Sequence, residues 1–221
     1  MMNVMVINGS PRKNWNTYQL LQKAREGAGS AGATVEMVNL YDYIYTGCRS
    51  CLACKLKEDR SGGICVIRDA LRPVLEKAHE ADVIIMGAPV YFGHPAAQLE
   101  SFAERFMFPI LRYAVDKNGI ALSKPHCTKA VGIIFTMNVN EEQAKQFHYD
   151  ILLGNMVQMS NTLFGHCESL YAYDTCQVND YSRYDMPVFD STHKMQRRKE
   201  AFPLDLQLAY ELGKRLAEQK A

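Results

Sequence analysis

The strongest constraint in this sequence is an alternation. Short apolar runs are followed, again and again, by stretches with helical spacing. Met2–Ile7 and Ala81–Val90 (ADVIIMGAPV) read as strands buried on both faces, because neither face is polar. Ala33–Leu40 alternates β-branched and polar residues, and Lys129–Met137 and Glu168–Tyr173 supply two more strands. Between them lie helical stretches at Thr17–Ala28, with Leu20, Leu21 and Ala24 on one face, and at Ala70–Glu80, with Pro73 in its first turn. Pro95–Ala114 follows, with Pro95 in its first turn and Pro109 kinking or shortening it; Glu141–Phe164 and Phe202–Lys220 complete the set. Five βα pairs in succession predict a doubly wound α/β fold. Its sheet is parallel, five-stranded and ordered 2-1-3-4-5, with helices on both faces, since each crossover must be right-handed.

The 221 residues suffice for one core, so residues 1–221 are expected to form a single domain. Two segments stand outside the alternation: a cysteine-rich loop at 41–65 and a polar, irregular arm at 174–200. A formal net charge of +1 gives no electrostatic reason to expect nucleic acid or a membrane surface as partner. No apolar run reaches the length of a membrane span, and the first residues lack the pattern of a signal peptide. Seven cysteines, an odd number with tight local spacing, fit a reducing cytoplasm better than a disulfide framework. The charged run KLKEDR at 55–60 reads as a solvated loop.

In a doubly wound sheet, ligands bind beyond the carboxyl ends of the strands. The first such end is NGSPRKNWNT, residues 8–17, which runs from a strand into a helix. A helix N-terminus presents free N–H groups and partial positive charge, which suits a phosphate. Gly9 allows close approach, Ser10, Asn16 and Thr17 offer side-chain hydrogen bonds, and Arg12 offers a charge-assisted pair. The competing reading is helix capping by Asn14 or Asn16. No Gly-Lys-Ser/Thr follows, so this is not a nucleotide-hydrolysing loop. GAGSAG at 27–32 matches a dinucleotide fingerprint by letter, but it leaves a helix and enters a strand. It reads as a helix-ending turn with glycine at the C-cap.

The third strand ends in GAPVYFGHPAAQLESFAERF, residues 87–106. Gly87 and Gly93 permit close backbone approach, and Tyr91 and Phe92 offer flat apolar surfaces for a planar heterocycle, or else pack under a helix. His94 reads as helix-entry polarity. The two loops together, with the cysteine segment and YDTCQVNDYSRYD at 173–185, resemble the NAD(P)H-dependent FMN reductases of flavodoxin-like fold, a group that includes the iron–sulfur flavoproteins. The resemblance implies FMN, with its phosphate on Ser10, Arg12, Asn16 and Thr17. The isoalloxazine would lie against Pro89, Val90, Tyr91, Phe92 and Gly93, and the loop carrying Thr136 and Asn138 would flank the ring or ribityl chain. Trp15 stands where the family often has glycine.

CRSCLAC at 48–54 has Cys-x2-Cys-x2-Cys spacing, in which three thiolates can wrap one face of an iron–sulfur cube. Three readings stand side by side. Cys48, Cys51, Cys54 and Cys65 hold a 4Fe–4S cluster; they are free thiols lining a dimer or substrate face; or they bind zinc. Cys127, Cys167 and Cys176 read as structural.

The expected function is that of a cytoplasmic FMN oxidoreductase. It takes hydride from NAD(P)H as co-substrate and reduces a small acceptor such as a quinone, a free flavin or a metal, in a homodimer or homotetramer. No side chain is nominated as acid or base. The alternative is a non-enzymatic electron carrier, either flavodoxin-like or an iron–sulfur flavoprotein. A third reading is a flavin-based sensor whose cysteines report redox state.

Overall fold

The apolar runs pair as the alternation requires. A computed structural model describes residues 1–58, 61–124 and 127–219; residues 59 and 60 of the charged run and Lys220 of the last expected helix lie outside the described residues. In chain order the elements are β1 (Asn3–Asn8), α1 (Asn16–Ser30), β2 (Thr34–Asn39), α2 (Arg72–Glu80), β3 (Val83–Tyr91), β4 (His94–Pro95), α3 (Ala97–Met107), β5 (Leu111–Val115), β6 (Ala121–Ser123) and β7 (Lys129–Thr136). They continue with α4 (Glu141–Gln146), α5 (Tyr149–Phe164), β8 (Gly165–Ala172), α6 (Ser191–Glu200) and α7 (Phe202–Glu218). The main strands run parallel in the order β2-β1-β3-β7-β8, which is the predicted 2-1-3-4-5.

The sheet is covered on both faces, and this is why its three central strands, β1, β3 and β7, are built from apolar runs. Met5, Ile7, Ile84, Met86 and Phe135 face one cluster with Leu99, Phe102 and Phe164. Their neighbours Val4, Val6, Val83, Ile85 and Ile134 face the other, with Leu20, Leu21, Leu212 and Leu216. No helix among the described residues is long and apolar enough to cross a membrane.

Five expectations need correction. Pro95 lies in β4, and α3 ends at Met107, two residues before Pro109. Leu111–Val115, expected as helix, is a strand of a hairpin with β6. Its turn is fixed by Asp116, whose Oδ1 accepts from the N–H groups of Asn118 and Ile120, with Gly119 at φ +80°. The long helix at 141–164 is two helices, broken at His148, which adopts φ +57°. The arm at 174–200 is not wholly irregular: Asp190 caps α6 by accepting from the N–H groups of Thr192 and His193. Helix α1 also runs past Ala28 to Ser30, so most of GAGSAG is helical, and Gly32 supplies the left-handed residue after its end.

Gly27 has a packing role. A Cβ there would collide with the Tyr210 carbonyl oxygen, and one on Gly213 would collide with the Ala24 carbonyl oxygen. The two glycines let the backbones of α1 and α7 touch. The arm is stapled separately. Lys194 is buried, and its Nζ donates to Asp174 and to the Asn138 carbonyl at 2.5 Å; His193 Nε2 lies 2.6 Å from Asp174 Oδ2. The single tryptophan, Trp15, donates its indole N–H to the Cys176 carbonyl at 3.0 Å, so it reports on the docked arm.

Replacing Gly213 with Ala should lower stability. Alanine is favoured over glycine by about 1 kcal/mol in a helix interior. The clash is with backbone that cannot rotate away, so the net loss should be on the order of 1–3 kcal/mol, read as a lower urea midpoint at unchanged slope. The arm should also come loose in acid. Burial alone would raise the Asp174 carboxyl, but Lys194 and His193 outweigh it and hold its pKa below the usual carboxylate value. A depressed folded pKa stabilises above the unfolded value, about 3.9, and that stabilisation is lost as pH falls through the folded value. Trp15 emission should therefore change in a transition below about pH 4, and Asp174→Asn should abolish that transition.

Candidate functional site

Three loops leave the same edge of the sheet because the strands are in register there. Asn8 pairs with Gly87, and Pro89 with Thr136. Gly9 donates its N–H to the Gly87 carbonyl at 2.8 Å, joining the first loop to the end of β3. A Cβ on Gly9 would lie 2.8 Å from Leu99 Cβ and 3.1 Å from Gly87 O, so only glycine permits the approach.

The first loop is held by its own polar groups. Ser10 N–H donates to Asn8 Oδ1 at 3.0 Å, Arg12 N–H donates to Ser10 Oγ at 3.1 Å, and Asn8 Nδ2 donates to Asn39 Oδ1 at 3.0 Å. The capping alternative is not what the fold uses. Trp15 occupies the N-cap of α1, and its side chain makes no capping hydrogen bond. The helix end therefore keeps its positive partial charge. Ser10 and Thr17 are buried, and Thr17 Oγ1 lies 2.7 Å from Thr136 Oγ1, tying the first loop to the third. Arg12 and Asn16 have partners that the sequence did not suggest. Arg12 Nη1 donates to the Gln177 carbonyl at 2.5 Å, and Asn16 Nδ2 donates to the Cys176 carbonyl at 2.7 Å. The arm thus closes over the loop.

The second loop is a tight hairpin. β4 turns back antiparallel on β3, pairing Tyr91 with His94 and Val90 with Pro95. Phe92 and Gly93, at the tip, have φ of +52° and +82°. Positive φ at both central residues favours Asn, Asp or Gly, and a phenylalanine there stores strain on the order of 1–3 kcal/mol. Its ring is 96% exposed, so packing does not explain it. Tyr91 is also exposed, while Pro89 and Val90 are half-buried. His94 Nδ1 lies 3.3 Å from Glu100 in the first turn of α3, consistent with helix-entry polarity.

The third loop carries an orphan. Asn138 Nδ2 donates to Gln177 Oε1 at 2.8 Å, whereas its Oδ1 is buried with no partner among the described residues. A buried acceptor left unpaired is costly, and it fits a ligand that supplies a donor.

The four loop cysteines line one small cavity. Cys54 and Cys65 are buried, Cys48 and Cys51 exposed, and Cys48 Sγ accepts from the Ser50 N–H at 3.4 Å. Among the described residues, however, no three His, Cys, Asp or Glu side chains converge as metal ligands, so the donor set suits a cluster while the arrangement does not. Beneath the cavity is a feature missing from the sequence reading. Arg105 is fully buried, forks onto Asp69 at 2.5 and 3.0 Å, and also donates to the Thr46 and Ile67 carbonyls. Beside it runs an open groove of about 850 Å³ lined by Cys48, His94, Met107, Met156, Met159 and Tyr113. Cys127 and Cys176 are buried and Cys167 half-buried, as structural thiols would be; burial pushes Cys167 up to about 12.

Comparison with known proteins follows the same lines. The family model described as NADPH-dependent FMN reductase matches residues 2–163. An iron–sulfur flavoprotein of Methanocaldococcus jannaschii is 38% identical over 104 residues, which is 47% of this chain and 51% of that protein. One from Methanosarcina thermophila is 36% identical over 124 residues, 55% of this chain and 62% of that protein. The chain thus spans about half the length of the first of these relatives and under two thirds of the second. Among solved structures, an NAD(P)H:quinone oxidoreductase from Methanothermobacter marburgensis superposes with a TM-score of 0.66 at 15% identity, covering 100% of this chain and 99% of that one. An FMN-dependent NADH-azoreductase from Bacillus anthracis, in complex with FMN, gives 0.64 at 15% identity, covering 99% and 100%. At such identities the likeness shows a shared flavodoxin-like fold. With a match over most of its length, the chain belongs to the NADPH-dependent FMN reductase family.

Proposed function

We propose that this protein binds FMN across the three loops and uses it to oxidise NAD(P)H and reduce a small acceptor. The observation that carries this reading is one sheet edge with complementary features. It has an uncapped helix end beside Ser10, a glycine-only approach at Gly9, and a buried unpaired acceptor on Asn138. The residues fit the cofactor. The first turn of α1 and Ser10 would hold the phosphate, and Thr17, Thr136 and Asn138 the ribityl chain and ring edge. The turn from Pro89 to Gly93 would present its backbone and the Tyr91 and Phe92 rings to the isoalloxazine. When bound, the flavin supplies hydride acceptance from a reduced nicotinamide and delivery to the acceptor. The chain's own part is to bind, orient and exclude water, with no side chain required as acid or base. The open groove and the exposed Phe92 support a mouth completed by a flat acceptor or by a second copy of the chain.

A second reading, an iron–sulfur electron carrier, draws on the shared cysteine cavity and the relatives' names. Iron analysis of anaerobically purified protein separates the two. About four irons per chain, the complement of one 4Fe–4S cube, would favour the carrier, and iron near zero the reductase alone.

Titrating colourless protein with FMN should quench flavin fluorescence saturably, and rapid mixing of the loaded protein with NADPH should bleach the flavin's blue absorption. Absence of quenching would overturn the cofactor assignment. Asn138→Ala should weaken FMN and riboflavin by the same factor, about tenfold, because the orphaned acceptor faces the part the two molecules share.

A further inference from the structure

We propose that Arg198, on the helix of the arm, is a positioning and specificity residue for the cofactor's phosphate, so that the arm is part of the cofactor site. This rests on the FMN reading above. Arg198 lies in α6, beyond residues 2–163 matched by the family model, so the resemblance assigns it no role.

Three observations place it at the phosphate loop. Its Nη1 donates to Asn16 Oδ1 at 2.6 Å. Its guanidinium lies over the Trp15 ring at 4.8 Å and over the Phe202 ring at 5.1 Å. Arg12 lies over the same indole at 4.2 Å. Two guanidinium groups thus share one tryptophan beside the uncapped end of α1.

The charge there is unbalanced. Among the described residues, Arg12 donates to a backbone carbonyl and Arg198 to an amide oxygen, and neither forms an ion pair with a carboxylate. Two cations gathered at one ring, neither paired with a carboxylate among the described residues, make the place attractive to an anion. A phosphate monoester, carrying close to two negative charges at neutral pH, suits it. Arg198 also acts through Asn16. By occupying Oδ1, it covers the side-chain oxygen that would otherwise face and repel the phosphate, and it leaves the first turn of α1 presenting N–H groups. Trp15, the departure from glycine in the loop, serves as the plate on which both guanidinium groups rest.

Arg198 should therefore distinguish FMN from riboflavin, which differ only in the phosphate. The test uses Arg198→Met, which keeps an unbranched apolar stem against Trp15 and Phe202 but removes the charge, and Arg198→Lys, which restores the charge. Affinities for FMN and riboflavin are measured by fluorescence quenching with the full chain. Arg198→Met should weaken FMN by about tenfold or more while leaving riboflavin within about twofold, and Arg198→Lys should recover most of the loss. The FMN affinity of Arg198→Met should also depend less on salt than that of the wild type. If Arg198→Met weakens both flavins equally, or neither, or if Arg198→Lys behaves like Arg198→Met, the residue only packs the arm and the proposal is overturned. If the wild type takes up no FMN at all, the cofactor reading itself has failed, and this proposal with it. A wild type that binds FMN while its variants keep the preference separates the two failures.

Discussion

The hydrogen bond from the Gly9 N–H to the Gly87 carbonyl is the contact on which the rest of the site depends. It continues the β1–β3 ladder one step beyond the strand, to the point where the two loops separate. The order of the sheet reverses at this junction, since β2 lies to one side of β1 and β3, β7 and β8 to the other. A crevice opens there as a matter of topology. Any side chain at position 9 would meet Leu99 and force the first loop away from the second. The uncapped helix end and the strained Phe92 turn stand at the same edge of the sheet because this bond keeps their loops together.

Periodicity made the sheet legible, because a strand covered on both faces must be apolar throughout. The break between Val4/Val6 and Met5/Ile7, with alternate residues going to opposite cores, is what the apolar runs encode. The hairpin at Leu111–Val115 was lost for a related reason. A helix with good apolar spacing precedes it, and apolar spacing alone does not separate the strand before the Asp116–Gly119 turn from a continuation of that helix. Helix α6 escaped because it has almost no apolar stripe. Its one buried residue is Lys194, whose stem and charge are both satisfied inside, and only the Asp190 cap betrayed its start.

The site was legible by loop and less so by residue. Thr17 and Thr136 meet, with Ser10 and Asn138 on the same two loops, because each lies within two residues of a strand's end or a helix's start. Arg12 and Asn16 face the arm, and no local pattern could announce a partner more than a hundred and fifty residues away. Arg105 was invisible for the opposite reason. A charged residue on an amphipathic helix reads as solvated, yet its fork onto Asp69 lets the guanidinium sit in the core. Trp15 proved the more informative residue of the loop, since the arm bonds to it through Cys176 and Arg198 lies over both it and Phe202 of α7.

The glycine contact between α1 and α7 has a consequence for how the molecule is made. Helix α7 follows all five parallel strands in the chain, yet it fills the groove beside α1, which comes directly after the first strand. During synthesis on the ribosome, α1 waits with that side bare until α7 has been translated. The loop that α1 anchors cannot reach its final geometry before then. Loading of the coenzyme must accordingly wait for α7, and a nascent chain stalled before it would leave a half-built mouth exposed to the quality-control machinery of the cell.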